Sequence, residues 1–292
     1  ATMTETVLGV LGGSGVYDID GLEDARWTTV ETPWGAPSDQ LLQGVLDGQR
    51  IVFLPRHGRG HPISPTGINA RANIDALKRL SVTDLISVAS VGSFREELAP
   101  GTFVICDQYV DRTNSRERSF FGNGCVAHVS LAHPTCDRLA DHVAAAGDDA
   151  GLAMVRGGNY LCIEGPQFST LAESNLFRSW GMDVIGMTAM PEARLAREAE
   201  LCYLTVAMVT DYDCWHEDHG AVTVDKIIEV LHANADNAHK LVRALAPRVG
   251  RRDHPCGKGC DRALDFALIT PPDHRDATMQ TKLDAVAGRV LG

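Results

Sequence analysis

The chain has 292 residues, of which 44% are hydrophobic and 22% charged, with a formal net charge of −11. This is the balance of an ordinary soluble globular protein with a sizeable core. The negative balance excludes general nucleic-acid binding and attachment to an anionic membrane, but not a small anion held by a few local donors. No apolar run reaches the roughly 18 residues of a membrane span. The N-terminus lacks a basic region followed by an apolar stretch and a cleavage site, so a cytoplasmic location is expected.

Apolar strand-like runs alternate with segments of helical spacing. The first run, Val7 to Leu11, ends in Gly12-Gly13-Ser14-Gly15. Glycines let successive backbone N–H groups turn toward an anion, and Ser14 adds a hydroxyl. Neither the dinucleotide fingerprint nor a Gly-Lys-Ser/Thr ending is present, so the loop suits a single small anion or is an ordinary turn. Gln49 to Leu54 is a second run, ending at Arg56-His57, where Arg is a natural bidentate partner for phosphate and His adds a donor. Gly58, Gly60 and Pro62 break any helix that would pair His57 with His61 on a metal.

Ile68 to Leu80 has helical spacing. Asp84 to Ser90 and Gly101 to Gln108 read as strands, and Thr135 to Ala146 as a helix ending near Gly147. Tyr160 to Ile163 is a short strand before Glu164-Gly165-Pro166-Gln167-Phe168-Ser169. Phe168 there either stacks on a flat base or fills the core under a turn. Ala172 to Trp180 is helical with Gly181 as its stop. Val184 to Gly186 leads to Met187-Thr188, and Pro191 to Glu200 is a helix.

Leu201 to Val209 is a buried strand that runs into Thr210-Asp211-Tyr212-Asp213-Cys214-Trp215. In an extended chain the two aspartates point to one face, at the strand end where open α/β sheets bind ligands. Paired carboxyls suit a basic heterocycle: one holds a proton for a ring nitrogen and the other accepts from an exocyclic amine. Thr223 is the expected N-cap of a helix reaching about Leu245. Val224, Ile227 and Ile228 share its apolar face, which reads as core packing from Leu231 onward. The interleaving indicates one α/β domain over residues 1–250. Residues 251–292 form a C-terminal extension of loop and terminal helix packed on that domain.

Of the eight cysteines, only Cys256 and Cys260 are close in sequence. Two further ligands at a recognisable spacing are not apparent, so the pair reads as a local disulfide or plain loop thiols, with no metal. His128 is a lone histidine in apolar context, where a structural role is the ordinary outcome.

Taken in order, Gly12-Gly13-Ser14-Gly15, Arg56-His57-Gly58, Asp107 to Thr113, Ile163-Glu164-Gly165-Pro166, Met187 to Glu192 and Thr210 to Trp215 resemble the trimeric purine nucleoside phosphorylases, across about residues 7–245. The resemblance implies a mixed central β-sheet flanked by helices in a single α/β domain. It implies phosphorolysis of an N-glycosidic bond in a homotrimer, with no cofactor beyond inorganic phosphate as co-substrate. Carried over, Ser14, Arg56, His57, Ser90 and Thr188 meet phosphate. Met187 lies against the ribose, and Phe168 and Ser169 flank the purine. Asp211 and Asp213 face its N7 and 6-amino edge. His128 from a neighbouring subunit, with Val224, Ile227 and Ile228, lines the 5′ pocket. Gln167 departs from the arginine of relatives.

Two carboxyls favour a 6-aminopurine over a 6-oxopurine. An apolar helix face favours a methylthio group over a buried hydroxyl. The expected substrate is therefore 5′-methylthioadenosine; the alternative is a 6-oxopurine nucleoside or methylthioinosine. Burial and the charge of Asp213 should raise the pKa of Asp211.

Overall fold

The computed structural model describes residues 3–13, 15–217, 224–253 and 256–292. The first half contains β1 (Met3–Glu5), β2 (Leu8–Gly12), β3 (Glu23–Thr28), β4 (Leu41–Leu46), β5 (Gln49–Pro55), α1 (Ala70–Arg79), β6 (Asp84–Ser93), β7 (Phe103–Cys106), β8 (Gln108–Arg112) and α2 (Asp137–Asp149). The second half contains β9 (Met154–Arg156), β10 (Asn159–Ile163), α3 (Leu171–Ser179), β11 (Val184–Gly186), α4 (Ala189–Glu198), β12 (Cys202–Asp211), α5 (Val224–Val249), β13 (Arg251–Asp253), α6 (Ala277–Lys282) and α7 (Asp284–Leu291).

Eleven strands form a mixed sheet in the order β3-β4-β5-β2-β6-β11-β10-β8, with β12 on the other edge of β6 and continuing through β7 to β9, while β1 and β13 pair separately. Helices cover both faces, which is why the central strands read as unbroken apolar runs. Along β12, Tyr203, Ala207 and Val209 join the core that includes Ile74 and Leu77 of α1, Leu195 of α4 and Val286 of α7. The alternate residues Leu204, Val206 and Met208 pack with Leu139 and Val143 of α2 and Leu241, Val242 and Leu245 of α5. The period of two is present, but both faces are buried and hydropathy alone does not show it.

Several expected boundaries move. Gly101 to Gln108 is not one strand: β7 and β8 are separated at Asp107 and pair with different neighbours. Gly147 does not end α2 but lies inside it, where a Cβ would collide with Met154; the turn follows at Gly151, with φ +67°. The last residues form two short helices, α6 and α7, rather than one. Glu200 anchors this C-terminal region by accepting from Arg289 at 2.8 and 2.7 Å and from the Leu264 N–H at 2.9 Å. Arg79 of α1 donates to Asp284 at 2.6 Å. No helix among the described residues is long and apolar enough to cross a membrane.

The sheet opens at its centre. One edge of β6 pairs with β2 from Asp84 to Ser87 and then with β11 only at Gly92 and Ser93. Between those pairings, beyond the carboxyl end of β2, that edge of β6 has no strand beside it among the described residues. This is a topological switch point, where α/β sheets form ligand clefts.

Candidate active site

A cavity of about 700 Å³ fills that opening. It is lined by Gly13 and Gly15 after β2, Arg56 and His57 after β5, Val88 to Gly92 of β6, Met187 and Thr188 after β11, and Asp211 and Asp213 at the end of β12. Phe168 and Ser169 close one side and Ile228 of α5 another. From Val88 to Gly92 the strand extends roughly 13 Å, so the arginine end and the aspartate end of the cavity are well separated.

Arg56 is wholly buried, 1% exposed, and its fork is already engaged. Nε donates to Glu192 Oε2 at 2.9 Å, one terminal nitrogen to Val88 O at 3.1 Å, and the other to Leu11 O at 3.1 Å and Ser87 Oγ at 2.6 Å. Glu192 also accepts from the Tyr203 hydroxyl at 2.9 Å. The bidentate grip on an anion expected from Arg56 is therefore not available: Glu192 occupies that face, and one hydrogen on the terminal nitrogen beside Val88 remains. Sequence reading missed Glu192; its place inside the matched segment Met187 to Glu192 was the only signal. Burial opposes the charge on Arg56, but Glu192 more than offsets it and holds the pKa above the ordinary value.

His57 Nδ1 lies 2.8 Å from the Ile63 carbonyl. A carbonyl only accepts, so Nδ1 carries the hydrogen and Nε2 presents a lone pair. Its ring stacks on His61 at 4.1 Å between centroids. Burial and the Arg56 charge press the pKa of His57 down to about 4. The folded chain thus prefers neutral His57, and this contribution to stability is complete above pH 6.5 and is lost as pH falls toward 4. We expect roughly 2–3 kcal/mol less loss of stability over that window in His57→Gln than in the native chain. Denaturant unfolding of both proteins across that range measures it, and parallel curves would reject the assignment. Glu198, raised by burial to about 7, has the opposite slope but is common to both proteins.

Thr188 and Ser169 each have a buried hydroxyl oxygen without a well-formed hydrogen bond. The Tyr160 hydroxyl is near enough to interact with Thr188, yet it too makes no bond of good geometry. Thr188 is the N-cap residue of α4 but makes no side-chain cap bond. A buried hydroxyl left unpartnered at a cavity wall is poised for a ligand.

The two aspartates reach the cavity differently from the extended arrangement expected of them. The register shifts between Val209 and Asp211. The chain then turns: Asp211 Oδ1 accepts from the Asp213 N–H at 2.8 Å, and Asp213 sits at φ +52°. A side chain that bonds the backbone two residues on replaces the strand with a turn. Asp211 Oδ2 accepts from Thr210 Oγ1 at 2.6 Å. Burial pushes the pKa of Asp211 up, opposed by these hydrogen bonds and aided by Asp213. Burial likewise raises Asp213.

Gly92 gives this turn its room. A Cβ there would lie 3.0 Å from Asp211 Oδ1 and 3.1 Å from an Ile185 methyl. Gly92→Ala should therefore displace the carboxylate, lowering kcat/KM about tenfold while costing roughly 1 kcal/mol of stability. Kinetics together with thermal unfolding check this; unchanged turnover would show that the Asp211 position is not critical. Arg116 fixes the opposite wall by donating to Met187 O at 2.6 Å, Met190 O at 2.7 Å and Glu164 O at 2.9 Å.

Other expected residues fall elsewhere. Ser14 lies outside the described residues, although its neighbour Gly15 is held by His239 Nε2 at 2.6 Å. Val224 and Ile227 lie on α5, but their side chains are outside the described residues. Leu231, read as core, lines the cavity with His232 and Ala235, because α5 turns its face to the cleft for two further turns. Thr223, the expected N-cap of α5, is also outside the described residues. Within one chain His128 is not in this cavity; it lines a separate outer depression with Phe266 and Arg262.

The Cys256–Cys260 reading needs correction. No disulfide joins them, and Cys136 and Cys202 supply the two additional thiols that sequence spacing did not reveal. Those residues are 54 or more positions away along the chain and converge only through the fold.

The chain belongs to the phosphorylase superfamily, whose family model matches residues 7–247. Its relatives over nearly the whole length include S-methyl-5′-thioadenosine phosphorylases: that of Cereibacter sphaeroides is 64% identical, covering 98% of this chain and 99% of that protein. The enzyme of Rhodospirillum rubrum is 61% identical, covering 99% and 98%. A methylthioadenosine phosphorylase from an Antarctic soil metagenomic library superposes with a TM-score of 0.89 at 43% identity, over 97% of this chain and 99% of that one. Methylthioadenosine phosphorylase from Schistosoma mansoni in complex with adenine gives 0.83 at 33% identity, over 89% and 97%.

Proposed function

We propose that this chain catalyses phosphorolysis of 5′-methylthioadenosine to adenine and 5-methylthioribose 1-phosphate. One observation carries the reading: a single cavity holds the Asp211–Asp213 pair together with Arg56, His57, Ser90 and Thr188. Relatives of high identity over the full chain support the same reaction.

In this reading hydrogen phosphate lies at the Arg56 end. The remaining Arg56 hydrogen, the Thr188 and Ser90 hydroxyls and the 13–15 loop donate to it. His57 Nε2, neutral and with its lone pair free, accepts a hydrogen bond from hydrogen phosphate. The purine lies toward Asp211 and Asp213, with Phe168 and Ser169 beside it and Met187 against the ribose. The C1′–N9 bond breaks with its electron pair moving onto the base, and the cationic C1′ is stabilised and then captured by a phosphate oxygen. Protonated Asp211 donates to N7, and ionised Asp213 accepts from the 6-amino group. The net proton on adenine is that of hydrogen phosphate. Ile228, Leu231 and Ala235 offer the methylthio group an apolar wall.

A homotrimer belongs to the same proposal. His128 and the fully exposed Phe266 occupy one outer face, linked by the His128 N–H to Ala267 O bond of 2.8 Å. In a trimer that face would cover a neighbour's 5′ pocket; light scattering on the eluting protein gives the mass.

The deciding experiment is purine release from methylthioadenosine, methylthioinosine, adenosine and inosine, each with and without phosphate. Phosphate-dependent adenine release, fastest from methylthioadenosine, is expected. Preference for inosine-type substrates would overturn the role of the aspartates, and release without phosphate would mean hydrolysis.

A further inference from the structure

We propose that Cys136, Cys202, Cys256 and Cys260 form a structural binding site for one divalent metal ion of the zinc type. Their four Sγ atoms all lie within 4.8 Å of one another, and all four residues are buried. Cys136 Sγ is 3.9 Å from Cys256 Sγ. Zinc–thiolate bonds of about 2.3 Å place the sulfurs of a tetrahedron about 3.8 Å apart, so shifts of roughly 1 Å or less close the cage. Four soft thiolates in tetrahedral array select zinc over hard cations such as magnesium or calcium.

The thiols are held from outside the cluster, as metal ligands are. The Cys136 N–H donates to Tyr203 O at 3.0 Å, next to Cys202, whose own N–H donates to Thr83 O at 3.0 Å. The Cys256 N–H is gripped by both oxygens of the buried Asp261, at 3.0 and 2.8 Å. Gly259, at φ +71°, turns the loop so that its N–H meets Cys256 O at 2.8 Å and Cys260 folds back beside Cys256. Cys256 and Cys260 thus form the closely spaced half of the site, and the other half comes from the N-cap of α2 and the first residue of β12.

The Cys136 side chain makes no cap bond to the 13-residue α2. Four buried thiolates require a cation. Binding the ion releases the thiol protons to solvent and changes no oxidation state. Four protein ligands leave no open position, which marks a structural rather than a catalytic centre. The ion would tie the 256–260 loop to α2 and β12. Just beyond that loop, Ala267 meets the His128 face.

The test uses the full chain, purified without a polyhistidine tag or chelator, and measures metal by mass spectrometry. About one zinc per chain is expected, falling to near none in Cys256→Ser/Cys260→Ser and unchanged in Cys125→Ala. Should the double variant not fold, the native chain stripped by chelator under reducing conditions is titrated with cobalt(II). Stoichiometric appearance of the visible bands of a tetrahedral cobalt–thiolate centre supports the site. Intact mass showing two disulfides in the native protein, or no zinc or cobalt uptake by the reduced chain, overturns it. Neither readout depends on which nucleoside the enzyme cleaves.

Discussion

Asp211→Ala is expected to reduce kcat/KM for methylthioadenosine by roughly 10²- to 10⁴-fold, the usual contribution of a placed general acid. The loss should fall mainly on kcat, because the proton moves only as the base departs. In the proposed mechanism Asp211 acts in its protonated form, and its pKa is raised chiefly by burial. The native kcat/KM should therefore decline as pH rises through that pKa, and Asp211→Asn should lack this decline. Asparagine keeps a hydrogen bond to N7 but has no proton to give, so its rate should lie between native and alanine. Asp213→Asn makes a sharper test of specificity. It replaces an acceptor with a donor at the 6-position, so adenine nucleosides should lose and 6-oxopurine nucleosides gain relative turnover. Native rates in Asp211→Ala would mean that the base lies elsewhere in the cavity.

The ease of finding these two aspartates contrasts with the difficulty of describing how they are arranged. A strand that ends in two carboxylates is visible in the sequence, because Leu201 to Val209 is apolar and Thr210 to Trp215 is not. The switch from extended chain to turn depends on a bond of 2.8 Å from the Asp213 N–H to Asp211, and it needs the space above Gly92, on a strand more than a hundred residues earlier. The same limit hid Glu192 behind Arg56 and the thiols Cys136 and Cys202 beside Cys256 and Cys260. Each of these is a pairing over long sequence separation, with no local period. Alternation of strands and helices was legible because it is local. The β3–β4 hairpin was not, since Glu23–Thr28 is exposed along most of its length and carries little hydrophobic signal.

Arg56→Ala is expected to raise KM for phosphate by roughly 10- to 100-fold, the value of a charge-assisted hydrogen bond, while nucleoside binding changes far less. The structure adds a second consequence. The Arg56–Glu192 pair is almost fully buried, at 2% and 4% side-chain exposure. Removing the arginine strands a buried carboxylate and should destabilise the chain by about 3–5 kcal/mol. A weaker enzyme could then reflect a loosened fold rather than a lost phosphate contact. The double variant Arg56→Met/Glu192→Gln separates the two. Glutamine retains a partner for the Tyr203 hydroxyl and leaves no unpaired charge, so most of the lost stability should return. The defect in phosphate saturation should remain, because methionine offers no hydrogen to the anion. Recovery of both together would make Arg56 a structural residue that only supports the cavity wall. Unchanged phosphate saturation in the single variant would move the anion site away from the end of β5 altogether.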